Sequence, residues 1–130
     1  MALAAALTGC ASGDPPAARP TPCVTPSAVT DTSALPDDLP LEEYGAVVAI
    51  EVEDRSVGAT AVSETQIVEL YPPLARAVLD AGYDIVASEN DGIDAEIFFT
   101  KGRRTGAYRL LRGPCAGQVT IRLLHDRGAS

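Results

Sequence analysis

Hydrophobic and polar residues form a strand pattern that begins at residue 46. Residues 46–53, Ala-Val-Val-Ala-Ile-Glu-Val-Glu, are rich in β-branched side chains and end in strict alternation, which predicts the first strand. Residues 54–61 contain Arg, Ser and Gly with no hydrophobic period, and we assign them no regular element. The folded part of the chain is therefore expected to open on one strand and an irregular segment.

A helix is predicted after this segment. Hydroxyl side chains just before residues 67–71 offer capping oxygens, so one or two helical turns can form there. Pro72 and Pro73 disrupt a helix interior but suit the first positions of a new helix. The main helix is therefore predicted over residues 72–81, and Gly82 is expected to supply its left-handed cap.

Four short strands are predicted after the helix, at residues 83–87, 93–100, 107–112 and 118–125. The sequence Asn90-Asp91-Gly92 between the first two is typical of a type I′ hairpin turn, because that turn requires positive φ angles. Glycine-rich segments separate the remaining strands. Hairpins are therefore expected to connect all four.

Alternation along these strands separates a core face from an outer face. Ala95, Ile97 and Phe99 fall on one face of their strand, and Phe98 falls on the other. The same rule gives a shared apolar face to Tyr108, Leu110, Val119, Ile121 and Leu123. We expect the helix to cover the face that carries Ile97 and Phe99.

The predicted fold class is α+β, with one helix packed on a mainly antiparallel five-stranded sheet in the order β-α-β-β-β-β. This order of elements is similar to that of the cystatin and monellin fold. The similarity is one of order only, and the chain carries no recognisable cystatin contact motif. It therefore implies an arrangement and no activity.

Proline divides the 130-residue chain into a tail and one domain. Residues 10–40 contain seven of the ten prolines, with Ser, Thr, Ala and Asp between them and no hydrophobic pattern. We therefore predict a Pro-rich linker over residues 10–40 and a single α+β domain over residues 41–130. The alternative is that part of the linker forms an arm that packs on the domain.

The amino terminus resembles the lipobox of bacterial lipoproteins. Apolar residues run into Leu7-Thr8-Gly9-Cys10, with Leu three places before the cysteine and a small residue directly before it. The resemblance implies cleavage between Gly9 and Cys10 and a lipid on the Cys10 thiol, whose acyl chains contribute about 0.8 kcal/mol per buried methylene. It also implies a location at the extracytoplasmic face of the cell membrane.

A complete export signal has a basic start and a longer apolar stretch than residues 1–9 provide. We therefore interpret residues 1–9 as a truncated signal peptide, with the translation start further upstream. The alternative is a helical amino terminus of a cytosolic protein with a buried cysteine. Nine arginines against one lysine are typical of a high-GC bacterium such as an actinobacterium.

The net charge argues against nucleic-acid binding, and the hydropathy argues against a membrane-spanning helix. Ten basic and eighteen acidic residues give a formal net charge of −8, which disfavours nucleic acid because phosphate binding needs clustered Lys and Arg. No run of 18 apolar residues occurs, so no transmembrane helix is predicted. Membrane contact is expected only through the lipid on Cys10.

The two remaining cysteines are an even pair for an oxidising compartment. We predict a disulfide between Cys23 and Cys115, which would attach the linker to the turn before the last strand. The alternative is a redox-active or metal-binding thiol pair. It lacks a Cys-x-x-Cys spacing and a nearby histidine, so we expect no metal site and no cofactor.

Other candidate chemistry has simpler structural explanations. His125 is the only histidine and we interpret it as an exposed residue at a strand end, because no nucleophile motif accompanies it. An acidic group around Gly92 lacks the spacing of a calcium loop, and the turn accounts for it; its members are Glu89, Asp91, Asp94 and Glu96. The basic turn at Lys101, Arg103 and Arg104 can contact an anionic surface, but such turns are usually solvated.

Phe98, Leu111 and Arg109 form a candidate interaction face. Alternation places Phe98 and Leu111 on the side of the sheet opposite the helix, where a partner can dock. Alternatively, the linker arm held by Cys23 covers that side. The leading hypothesis is a non-enzymatic, lipid-anchored domain that binds an envelope protein or a cell-wall component, ahead of an inhibitor or small-solute-binding lipoprotein and of a hydrolase.

Overall fold

The β-branched and alternating segments form an antiparallel sheet with one helix against it. The computed structural model describes residues 23–128, and within them the fold is α+β with six strands. The elements are β1 (Ala46–Glu53), β2 (Ser56–Ser63), α1 (Ile67–Asp80), β3 (Asp84–Asn90), β4 (Ala95–Lys101), β5 (Arg104–Arg112) and β6 (Val119–Asp126). The fold class, the bounds of β1 and the four strands after the helix are confirmed.

The expectation of five strands is wrong, because residues 56–63 form the additional strand β2. Its Gly and Ala residues have weak strand propensity, which hid it in the sequence. In the structure β2 lies between β1 and β6, where Ala59 and Ala61 are fully buried. A two-residue turn at Asp54 and Arg55, with Asp54 at a φ of 43°, joins it to β1. The element order is therefore β-β-α-β-β-β-β.

The strands are arranged in the order β1-β2-β6-β5-β4-β3, and every neighbouring pair is antiparallel. Strands β3 to β6 follow one another as hairpins. The helix connects β2 to β3 at the far edge of the sheet, so it crosses one face of the sheet, here called the inner face. The opposite face is the outer face.

Helix α1 is continuous through Pro72 and Pro73, whereas the sequence predicted a helix that starts at Pro72. Both prolines are exposed, and the carbonyl groups that lose their partners belong to the exposed residues Val68 and Glu69, so water can satisfy them. The earlier start also buries Ile67 and Leu70, and burying such side chains contributes about 1.5–3 kcal/mol each. Gly82, at a φ of 87°, caps the helix as predicted.

The chain before β1 packs on the inner face beside the helix. Leu39 and Leu41 are 3% and 2% exposed and belong to the same core as Leu74. The Tyr108 hydroxyl of β5 donates a hydrogen bond of 2.6 Å to the Pro40 carbonyl. Residues 23–40 are here called the arm. Because arm side chains belong to the core, the folded domain begins before residue 41, the boundary predicted from composition.

Candidate functional site

Three adjacent rows of outer-facing side chains cross the sheet, and a short fourth row beyond them contains Val62, Thr120 and Leu111. The middle row, here called the apolar row, consists of Gly58, Leu124, Ala107, Phe98 and Ala87. On one side lies a row of carboxylates and hydroxyls, formed by Glu53, Ser56, Asp126, Thr105, Thr100 and Asp84. On the other side lies a charged row, formed by Thr60, Arg122, Arg109, Glu96 and Glu89. The outer face thus presents an apolar strip between two polar borders.

Three large apolar side chains are open to solvent on this face. Phe98 is 39% exposed, Leu111 37% and Leu124 40%. The helix and the buried side chains of the arm, such as Leu39, belong to the inner-face core, and the described residues of the arm leave these three side chains exposed. The sequence left open whether the arm covers Phe98. The described part of the arm does not cover it.

The two arginines of the outer face turn away from each other. Arg109 and Arg122 are directly opposite in the pairing of β5 with β6. The Nη2 atom of Arg109 lies 2.8 Å from Glu96 Oε1, and that of Arg122 lies 2.7 Å from Glu51 Oε2. Each positive charge is therefore neutralised by its own glutamate rather than offered to a ligand.

Gly58 makes room for the ion pair that crosses β2. A Cβ atom at this position would lie 3.0 Å from Glu51 Oε2 and 3.1 Å from Arg122 Nη2. The hydrogen bond from Arg122 lowers the pKa of the Glu51 carboxyl. The absence of a side chain at Gly58 thus leaves space for Arg122 to reach Glu51 across β2.

A groove of about 620 Å³ follows the apolar row. Its floor is formed by Gly58, Phe98, Ala107 and Leu124, and its polar border includes Glu51, Glu53, Ser56, Thr105, Arg122 and Asp126. Within the described residues, the outer face carries the carboxylates Glu51, Glu53, Asp84, Glu89, Glu96 and Asp126 against the guanidinium groups of Arg109 and Arg122. The face is therefore apolar along its centre and acidic around it.

His125 is buried, which corrects the interpretation of an exposed strand-end histidine. It is 6% exposed and has the same strand parity as the core residues Ile121 and Leu123, a signal that the sequence contained. Its Nε2 atom lies 3.2 Å from the Tyr83 hydroxyl, which lies 3.1 Å from Asp38 Oδ2. A polar chain thus links β6 to the arm through the core.

The chemistry of Asp38 fixes the direction of these hydrogen bonds. A carboxylate only accepts, so the Tyr83 hydroxyl donates to Asp38 and His125 Nε2 donates to the hydroxyl oxygen. The Nδ1 atom of His125 then carries a lone pair, and it is buried without a partner among residues 23–128. Burial lowers the pKa of His125, and Asp38, Asp126, Arg104 and Arg127 modify that shift with opposite signs.

This depressed pKa predicts that the domain loses stability in mild acid. Below about pH 6.5 the unfolded chain protonates its histidine while the folded chain does not, so the free energy of unfolding falls as pH decreases, by at most about 1.4 kcal/mol per pH unit. Urea unfolding at pH 7.5 and 5.5 measures the loss. His125→Gln should reduce the pH dependence in this window, and an equal dependence in both proteins would contradict the assignment.

The disulfide between Cys23 and Cys115 is confirmed. The two Cα atoms are 5.4 Å apart, and the bond joins the start of the arm to the loop between β5 and β6. Next to it, Gln118 Nε2 donates to Thr25 Oγ1 at 2.9 Å and to Glu64 Oε1 at 3.0 Å. The arm is therefore attached to this loop by a covalent bond and by side-chain hydrogen bonds.

The acidic turn around Gly92 is longer than a two-residue hairpin. Strand β3 ends at Asn90 and β4 begins at Ala95, so the type I′ assignment is wrong. Asp91 Oδ1 accepts hydrogen bonds of 2.9 Å from the backbone N–H groups of Ile93 and Asp94, which stabilise the longer turn. Residues 23–128 contain no group of three or more His, Cys, Asp or Glu side chains placed to hold a metal ion.

The basic turn contacts the inner side of the domain. Lys101 Nζ donates to the Ala81 carbonyl at 2.8 Å and lies 5.4 Å from the centre of the Tyr83 ring. Arg104 Nη1 lies 3.9 Å from Asp38 Oδ2. Two of the three basic side chains therefore support the packing around Tyr83.

The predicted lipidation residue Cys10 lies outside the described residues, as does the signal peptide interpretation of residues 1–9. In the described part of the chain, no helix has the length and apolar character needed to cross a membrane. Comparisons with protein families, curated proteins and solved structures found no match to the chain.

Proposed function

We propose that the chain is a lipid-anchored extracytoplasmic domain that binds another protein of the cell envelope through its outer face and catalyses no reaction. The observation that carries this proposal is the uncovered apolar row. Among the described residues, helix α1 and the buried side chains of the arm pack on the inner face, whereas Phe98, Leu111 and Leu124 stay exposed on the outer face.

The composition of the outer face favours protein binding. Phe98 and Leu124 lie on the apolar row with Ala107 between them, and polar side chains border them on both sides. Protein interfaces commonly have an apolar centre, aromatic and arginine side chains, and a polar rim. An apolar strip that a monomer leaves open is typical of a surface that a partner covers.

The ion pair of Glu96 with Arg109 favours a binding role over hydrolysis at Glu96. A hydrolase of the kind considered from the sequence requires two carboxyl groups that face each other, one with a raised pKa. Glu96, the candidate for such a pair, is held by Arg109 at 2.8 Å. Its charge is thus balanced by a permanent cation.

A small-solute-binding lipoprotein is the second candidate, because a groove of about 620 Å³ has the size of many small-molecule sites. An enclosed site under the helix is less favoured than the groove, since Leu74, Val78 and Ile97 fill that space and are fully buried. A cell-wall component that binds in the same groove would be a solute of this kind.

The anchor and the binding face can be tested in one set of cells. The chain is expressed behind a complete export signal with a photo-crosslinking amino acid at position 111, on the outer face. A palmitate analogue should label the protein and an envelope protein should be crosslinked to it, whereas Cys10→Ser should abolish the label and release the chain from the membrane fraction.

The control carries the same crosslinker at position 79, because Leu79 is 51% exposed on the helix and lies away from the outer face. Equal labelling of the Cys10→Ser variant would rule out the anchor. An identical crosslinking pattern from positions 111 and 79 would rule out the outer face as the binding surface.

A further inference from the structure

We propose that the segment recognised by the outer face is a cationic amphipathic stretch of polypeptide, in which apolar side chains alternate with Lys or Arg. This inference rests on the proposed function and names the chemistry of the partner at the same surface. The inference depends on which polar groups around the apolar row already have hydrogen-bond or ion-pair partners.

The two guanidinium groups of the outer face are already paired. Arg122 donates to Glu51 Oε2 at 2.7 Å and to Thr60 Oγ1 at 2.7 Å, and Arg109 is held in the same way by Glu96. A partner carboxylate would have to displace one of these glutamates to reach a guanidinium group. An anionic segment is therefore disfavoured at this surface.

Two carboxylates border the groove without an ion pair to a described residue. The Glu53 side chain is exposed and makes no hydrogen bond with another described residue. Asp126 lies two strands away in the same row, where it accepts neutral hydrogen bonds from the Gly128 N–H at 2.7 Å and from the Ser56 hydroxyl at 3.4 Å. Neighbouring strands are about 4.8 Å apart, so the backbones of the two residues are separated by about 10 Å across the sheet.

These acceptors run parallel to the apolar row, and that arrangement selects the partner. Lys and Arg side chains place their methylene stems along apolar surface while the charged group reaches a carboxylate nearby. Apolar side chains of the same segment can then contact Phe98 and Leu124. A segment with both kinds of side chain can contact the apolar floor of the groove and pair with the carboxylates of its border at the same time.

A second copy of the chain fits this surface less well. The outer face has six carboxylates against two arginines among the described residues, and the whole chain has a net charge of −8. Two such faces repel each other when they come together. Charge complementarity therefore favours a basic partner over self-association.

The test measures binding of a fluorescent ten-residue peptide of alternating Leu and Lys to the full chain carrying Cys10→Ser, by fluorescence anisotropy. The control peptide has Glu in place of every Lys. We expect saturable binding of the Lys peptide that weakens as salt is raised, and at least tenfold weaker binding of the Glu peptide.

Two variants locate the binding on the outer face. Phe98→Ser should weaken binding of the Lys peptide by about tenfold, as expected for the loss of a central aromatic contact. Glu53→Lys should weaken the same binding by about threefold or more. Leu79→Ser and Glu42→Lys change an apolar and an acidic residue that are exposed elsewhere, and they should leave the affinity within about twofold.

Thermal unfolding of each variant separates lost binding from lost folding. Phe98→Ser should keep a midpoint within a few degrees of the parent, since the ring is already 39% exposed. If that variant unfolds, Glu53→Lys alone decides the question, because the Glu53 side chain has no partner among the described residues to lose.

Several results would overturn the proposal. Equal affinity for the Lys and Glu peptides, or affinities that Phe98→Ser and Glu53→Lys leave unchanged, would show that the outer face does not select a cationic segment. Sedimentation that shows a dimer broken by Phe98→Ser would make a second copy the occupant. Tighter peptide binding after deletion of residues 11–22 would show that the chain's own tail occupies the groove. A crosslinked envelope protein combined with any of these results would keep the proposed function and remove this inference.

Discussion

Replacing Cys23 and Cys115 by alanine is expected to lower the free energy of unfolding by about 4 to 5 kcal/mol. The disulfide joins residues that are 92 positions apart, and the chain-entropy model assigns this stabilisation to a closed loop of that length. Domains of this size are commonly stable by about 5–15 kcal/mol in total. The loss would therefore leave only a small part of the original stability.

Urea unfolding of the double variant and of the parent, each with and without a reductant, measures this effect. Reduction should bring the parent to the stability of the double variant and should leave the double variant unchanged. A difference below about 1 kcal/mol would show that the disulfide fixes the arm without stabilising the domain.

Leu39→Ala is expected to lower the free energy of unfolding by about 2 to 4 kcal/mol. Leu39 is 3% exposed and packs in the main core, so truncation removes buried methyl groups and leaves a cavity. Leu79→Ala is the matched control, because Leu79 is 51% exposed on the helix and its loss should change stability by less than about 0.5 kcal/mol.

Chemical denaturation of both leucine variants in the oxidised protein distinguishes a structural arm from a spacer. A large loss for Leu39→Ala shows that the domain extends before residue 41. Equal and small losses for the two variants would mean that the arm rests on the surface and that residues 41–130 fold without it.

The sequence predicted those parts of the fold whose side chains alternate strictly. Period two identified the buried side of β4 in Ala95, Ile97 and Phe99, and that side is buried in the structure. The same rule placed Phe98 on the outer face. Strand β2 was missed because two of its core positions are Ala59 and Ala61, whose small side chains give too weak a hydrophobic signal to define a period.

The arm was not recognised as part of the core for a related reason. Leu35, Leu39 and Leu41 are separated by prolines and aspartates, and they pack through irregular backbone rather than through a helix or a strand. Periodicity cannot identify such residues. The cysteine pair was the one sequence feature that connected this segment to the domain, and the predicted disulfide is present.

The polar arrangement of the outer face depended on strand order, which local sequence does not determine. Arg122 reaches Glu51 across β2, and the two residues are 71 positions apart in the chain. Their pairing requires that β6 lie beside β2, a neighbour relation that follows from the whole topology. Individual residues of the candidate site could therefore be predicted, whereas their charge balance could not.

The position of the disulfide also determines how the domain would respond to a mechanical load. Tension applied to the chain before Cys23 passes through the covalent bond to Cys115 and bypasses residues 24–114, which lie inside the closed loop. Between Cys115 and the carboxyl terminus the load acts on β6 alone, which is held on both sides by β2 and β5. The bond thus protects the arm and the helix from being pulled open, and the resistance of the domain is concentrated in the two ladders of its central strand.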